Sequence, residues 1–219
     1  MIRIINLFFI IFFLLSSKAY SLIEIDITRG NLDPLPIAVS PLFQDDNSKR
    51  NSINELKIEN VGSEISLVVE NNLKISGLFN PLSKEAFLQK PDIAHLKPRF
   101  EDWALIKAQA LITGKVTIED KKLKVEFRLW DILAGREMMA LAFTTVPSNW
   151  RRVGHIISDK VYERLTGEKG YFDTRIIYVS EEGPKTARVK KLAIMDQDGF
   201  NTKYLTLGNE LVLTPRFNP

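Results

Sequence analysis

The sequence predicts an α/β (α+β) chain: a mixed β-sheet with helices packed on it, followed by a second, all-β unit. Three observations carry this. Residues 123–129 alternate, with Leu123, Val125, Phe127 and Leu129 toward one face and Lys124, Glu126 and Arg128 toward the other. Val153, Ile157, Val161 and Leu165 recur every four residues and so share one helical face. After Leu165 the period falls to two, Ile176 and Tyr178 opposing Ile177 and Val179 in a short β-rich run.

Composition sets the limits. The 219 residues can hold one large domain or one domain plus part of another, and an apolar fraction of 45% suffices for a packed core. Cysteine is absent, which removes disulfides, thiol catalysis, thiolate metal sites and a lipid-modified N-terminal cysteine together. The net charge of +3 gives little pull on nucleic acid. Without Arg3 and Lys18, both in a segment read as cleaved, 28 of the 30 basic residues face 27 acidic ones.

Residues 1–21 have the form of a secretory signal: Arg3 at the start, an unbroken apolar run over 7–15, and small residues around Ala19 and Ser21. A membrane anchor needs about twenty apolar residues; the run counted from Ile4, tolerating Asn6, has twelve. Residues 22–30 read as a half-buried strand, with Ile23, Ile25 and Ile27 on one side and Glu24, Asp26 and Thr28 on the other. By pattern alone this is an ordinary edge strand. Being tethered at one end, its docking competes with a large chain entropy.

Residues 36–43 read as a buried strand closed by a polar loop over 44–51. A helix follows, in which Val61, Ile65, Val68 and Val69 fall on one face and Asn60 is a candidate N-cap. Residues 81–98 read as a loop with fragments of helix, and 100–106 as a short helix leading into a strand over 108–118. With turns at 119–121 and 134–135, that strand, the alternating one and residues 137–146 form a meander with one apolar face. The helix over 148–166 returns to cover it, and Gly167 is the natural stop. Beyond Tyr171, strands are predicted over 174–180, 189–195 and 203–207, with Asp196, Gln197, Asp198 and Gly199 turning the chain between the last two.

The junction at 165–180, together with SGLFNPL at 76–82, ISDKV at 157–161 and DQDGFN at 196–201, resembles the TolB family, periplasmic proteins of the Tol–Pal system of Gram-negative bacteria. The likeness runs from about residue 22 to the end of the chain. It implies an anticodon-binding-like N-terminal domain over 22–168 and the first, incomplete part of a β-propeller over 169–219, after a signal peptide at 1–21. A blade needs about 40–45 residues and several neighbours, so measured against the family the chain is a fragment. In the family the N-terminal segment is a switch, packed on the body or released to bind TolA, while Pal contacts the propeller. The resemblance therefore makes Ile23, Glu24, Ile25, Asp26 and Ile27 the candidate partner-binding residues, the isoleucines as anchors and the carboxylates shaping the exposed edge. Edge pairing is how such a strand would join a partner. The implied role is non-enzymatic: outer-membrane integrity and its invagination during division, with protein partners rather than nucleic acid or a small-molecule substrate.

Chemistry finds little purchase. His95 lies in a loop without a ligand-like neighbour, and His155 with Asp159 at i+4 reads as a hydrogen-bonded surface pair. Asp196 and Asp198 open like a calcium loop but lack its third ligand and distant Glu, so a turn is the better reading. No P-loop, dinucleotide fingerprint or nucleophile elbow occurs. Asp92, Glu101 and Asp102 read as solvated charges, and Trp103, Trp130 and Trp150 as packing anchors, with Trp130 on the polar side of its strand and so partly exposed. No catalytic residue, metal or cofactor is assigned. The alternatives are a periplasmic propeller-associated hydrolase or lyase whose site lies outside these residues, and a purely structural envelope protein without a switch.

Overall fold

The computed structural model describes residues 23, 25, 33–208 and 212–217. The signal-peptide reading over 1–21, and Glu24, Asp26 and Ile27 of the candidate switch, lie outside the described residues.

The chain opens with β1 (Leu35–Val39) and β2 (Phe43–Gln44), which lie in succession along β4 and both run parallel to it. The single strand expected over 36–43 is thus broken in two. Pro41 has no N–H for the ladder, and the Ser66 hydroxyl fills the gap, accepting from Leu42 N at 3.0 Å and donating to Ser40 O at 3.1 Å.

The polar loop expected over 44–51 is instead helix α1 (Asp46–Leu56). Asp45 caps it, its Oδ1 accepting from Ser48 N at 2.8 Å. Apolar periodicity misses this helix because it docks through small polar side chains. Ser48 Oγ accepts from Ile118 N at 3.3 Å, and Asn51 Nδ2 donates to Ile118 O at 2.7 Å.

Helix α2 (Val61–Ile75) starts as expected, Asn60 accepting from Ser63 N at 3.0 Å. The short β3 (Phe79–Pro81) pairs with β1, and a 3-10 turn (Lys84–Ala86), α3 (Pro91–Ala94) and α4 (Phe100–Leu105) occupy the stretch before the meander. The meander is β4 (Ala110–Glu119), β5 (Lys122–Asp131) and β6 (Arg136–Thr145), antiparallel throughout. The sheet order is β3-β1-β4-β5-β6, with β2 also on β4.

On one sheet face Leu123, Val125, Phe127 and Leu129 are 0–1% exposed, beneath Val61, Ile65, Val69 and Leu73 of α2 and Val153, Ile157, Val161 and Leu165 of helix α5 (Trp150–Thr166). Gly154 sets the spacing of the two helices: a Cβ there would stand 2.9 Å from Val68 Cγ1. The opposite face is also covered at one end. There Trp103, Leu111, Trp130 and Ile132 form a second cluster. Trp130 is therefore buried rather than partly exposed, and its Nε1 donates to Thr113 Oγ1 at 2.9 Å, which satisfies the indole despite its place on the polar side of the strand.

Helix α5 ends at Gly167, φ +75°, whose N–H reaches Glu163 O at 2.9 Å. Three strands follow in a separate antiparallel sheet, β7 (Arg175–Glu182), β8 (Val189–Asp196) and a β9 of two residues (Lys203–Tyr204), shorter than the 203–207 expected.

Asp45 offers a direct test of α1. The Ser48 amide holds its carboxyl below the ordinary value of 3.8, so its contribution is complete above that pH and is lost as pH falls through the lowered value. Asp45→Ala should cost about 1 kcal/mol at pH 7 in urea denaturation. Asp45→Asn, an equally good cap, should stay near wild type at pH 7 and lose less stability than wild type below pH 3.8.

Candidate functional site

The carbonyls of a helix's last turn have no partner within the helix. In α5 one of them, Leu165 O, accepts the N–H of Ile25 at 2.7 Å. Ile23 and Ile25 are half-buried and pack against the main core. Neither lies in a strand. The expected edge strand is corrected at these two positions: Ile25 is held at a helix end, where a free carbonyl and an apolar surface are both available.

The other side of α5 carries the junction with the second sheet. Asp159 does not pair with His155. Its Oδ1 accepts from Phe172 N at 2.6 Å and its Oδ2 from Asp173 N at 3.1 Å. This requires the chain to pass very close to the helix, and Gly170 permits it, since a Cβ there would sit 2.4 Å from Asp159 Cα. Phe172 is fully buried and packs edge-on to Tyr162. Arg152 grips Asp173 with Nε and Nη2 at 3.1–3.2 Å, and this contact raises the guanidinium's pKa further.

One turn earlier, His155 is 2% exposed, so the surface reading is overturned. It lies in a polar seam between α2 and α5. Asn72 Nδ2 bonds His155 Nδ1 at 2.9 Å and Ser158 Oγ at 3.0 Å, while Asn72 Oδ1 accepts from Gln197 Nε2 at 2.9 Å. The turn at 196–199 thus reaches across to α2. It is closed by Gly199 N to Asp196 O at 3.0 Å, as its sequence indicates. Arg151 pairs with Asp198 and lies 3.9 Å over the Phe200 ring. The imidazole Nε2 stands 3.8 Å from Asp198 Oδ2 and 4.0 Å from Asp196 Oδ2. Burial lowers the pKa of His155; the two carboxylates oppose that shift and Arg151 adds to it. A cavity of about 250 Å³ opens beside it, lined by Arg152, Asp173, Arg175 and Lys203 among others.

The remaining candidates are not brought together. His95 stacks on Phe43 at 4.5 Å and its Nδ1 bonds Pro91 O. Asp102 is held by Arg99 at 2.5 Å, and Trp103 Nε1 donates to Gln89 Oε1 at 3.1 Å. Sequence reasoning missed Asn72, Gln197 and the approach of His155 to Asp196 and Asp198. The available signal is polar residues at inward positions of two largely apolar helix faces, Ser66 and Asn72 on α2 and His155 and Ser158 on α5.

Among protein-family models, one for the TolB amino-terminal domain matches residues 23–138, and one for the TolB beta propeller domain matches 162–219. The chain is 79% identical over 211 residues to the Tol-Pal system protein TolB of Pelagibacter ubique (strain HTCC1062), covering 96% of this chain and 47% of that protein. It therefore spans about half the length of that curated relative. The crystal structure of TolB from Acinetobacter baumannii superposes with a TM-score of 0.67 at 24% identity, over 84% of this chain and 41% of the other, a likeness of fold.

Replacing Asp159 by Ala strips a charged acceptor from two backbone amides. We expect a loss of about 2–3 kcal/mol and faster amide exchange at Phe172 and Asp173. Unchanged exchange at both would show that the carboxylate does not hold the junction.

Proposed function

The chain belongs to the TolB family, and from that premise we propose a non-enzymatic periplasmic interaction protein of the Tol–Pal system, exchanging contacts with TolA and Pal to maintain outer-membrane integrity and support its invagination during division. The observation that carries the reading is the docking of the leading segment on α5, through Ile25 N–H to Leu165 O at 2.7 Å and two half-buried isoleucines. A typical hydrogen bond adds about 0.5–1.5 kcal/mol net, and complete burial of an isoleucine about 1.5–3 kcal/mol. Half-burial gives less. For these two residues the hold is a few kcal/mol, within reach of a partner that binds the released form better.

Helix α5 is common to both arms of the exchange. Leu165 receives the segment and His155, ten residues away, faces the second sheet; at 1.5 Å per residue the two lie about 15 Å apart on one rigid element. Binding at one end can bias the other only if the two states of the protein differ in affinity for each partner. We read Ile23, Glu24, Ile25, Asp26 and Ile27 as the TolA-binding residues, and the propeller as the Pal-binding part. The organisation we propose is a signal peptide at 1–21, the α/β domain at 22–168 and the first blade from 169 to 219, with the change of architecture at Gly167 in support. Export to the periplasm follows from the family and the leader. Among the described residues no helix is long and apolar enough to cross a membrane. Family membership speaks against the hydrolase alternative.

Deleting residues 22–33 from a full-length protein should abolish TolA binding while Pal binding stays intact or strengthens. Calorimetry with each partner decides it: undiminished TolA affinity would refute the assignment of the switch.

A further inference from the structure

We propose that His155, Asp196 and Asp198 form a binding site for a first-row divalent cation, of which Zn²⁺ is the natural probe, fastening the turn of the second sheet to α5. The ligand atoms of these three residues lie within 4.8 Å of one another, and among the described residues they are the group of this kind that the fold assembles. The imidazole Nε2 has no hydrogen-bond partner among the described residues, although its side chain is only 3% exposed. Its separations from the carboxylate oxygens, 3.8 and 4.0 Å, are too long for hydrogen bonds. They are close to the roughly 3.4 Å between ligand atoms arranged tetrahedrally about 2.1 Å from a zinc ion. An unpaired buried polar atom is costly, and this one points at two carboxylates.

The three side chains are only 3–17% exposed, and Arg151 pairs with Asp198 alone of the two carboxylates. Neither carboxylate oxygen is used up: Asp198 Oδ2 receives Arg151 and Asp196 Oδ2 receives Asn201 Nδ2, and each oxygen has a second lone pair. A donor set with an imidazole suits a first-row ion rather than calcium or magnesium. The cavity alongside leaves room for water as a fourth ligand.

A histidine bound through Nε2 must carry its proton on Nδ1 and give it to an acceptor. Asn72 supplies one. Turning its amide over places Oδ1 against Nδ1 and against the Ser158 hydroxyl, whose proton then turns from Gly154 O to Oδ1, and places Nδ2 against Gln197, whose amide turns in the same way. The heavy-atom positions are kept, and the relay from Gln197 through Asn72 becomes the support that orients the ligand.

The test uses the full chain freed of metal by a chelator. Calorimetric titration with Zn²⁺ should show one saturable equivalent and a rise in Tm. The chain has only two histidines, so nitrogen NMR reads the site directly: Zn²⁺ should shift the Nε2 resonance of His155 and leave that of His95 in place. His155→Gln and, should that variant fold poorly, the milder Asp196→Asn should each weaken binding at least tenfold. The proposal is overturned if uptake does not saturate, if the shifted resonance is that of His95, or if Asp196→Asn binds as tightly as the parent. Any of these outcomes leaves water as the occupant, while the partner-exchange reading stands or falls with TolA binding alone.

Discussion

The apolar face of the β4–β5–β6 meander is the constraint from which the rest follows. Leu123, Val125, Phe127 and Leu129 stack along β5 with almost no exposure, and full burial of side chains of this size contributes about 1.5–3 kcal/mol each. One helix is too narrow to cover them. Two are needed, and α2 and α5 must lie close enough to leave no gap over the strand. That proximity places a glycine, Gly154, against Val68. It also means that whatever α5 does not turn toward the sheet is available for other contacts, and both the leading segment and the second sheet use it.

The two helices are not joined by apolar contacts alone. Asn72 and Ser158 are fully buried between them with His155, an arrangement that costs more than a hydrophobic seam unless every polar atom is answered. Side chains of α2 and α5 alone do not answer it: Asn72 Oδ1 takes its hydrogen bond from Gln197 in the turn of the second sheet, and His155 Nε2 has no partner among the described residues. The seam therefore ties the packing of α2 against α5 to the turn of the second sheet. With Asp159 holding the amides of Phe172 and Asp173, and Arg152 holding Asp173, it fixes where the second sheet begins.

Legibility in the sequence followed the kind of force involved. Wherever burial of an apolar stripe decides the structure, the residues say so: α2, α5 and the meander stand where their periodicities place them. The stop at Gly167 and the cap at Asn60 were equally plain, since each rests on one residue's backbone or side-chain chemistry. Helix α1 was invisible because serines and an asparagine dock it, and such residues look like loop. Trp130 misled for a related reason: its position in the alternation is polar, but Thr113 across the sheet satisfies the indole and lets it enter a second cluster. The grouping of His155 with Asp196 and Asp198 could not be read from spacing, because its members lie some forty residues apart on elements that meet only in the folded chain.

This division bears on how partner exchange can work. A coupling between two sites needs an element with two arrangements of similar energy. The apolar face is a poor candidate, since close-packed side chains admit one packing and resist another. The polar seam differs in kind. Two amides can reverse their direction by half-turns, and His155 can carry its proton on either nitrogen, while the heavy-atom positions stay in place. The reversal changes whether His155 turns an N–H or a lone pair toward Asp196 and Asp198. A carbonyl in the last turn of the same helix, Leu165 O, holds the N–H of Ile25. If partners at the two ends feel each other, the seam is the part between them whose hydrogen bonds can be redrawn without repacking the apolar face.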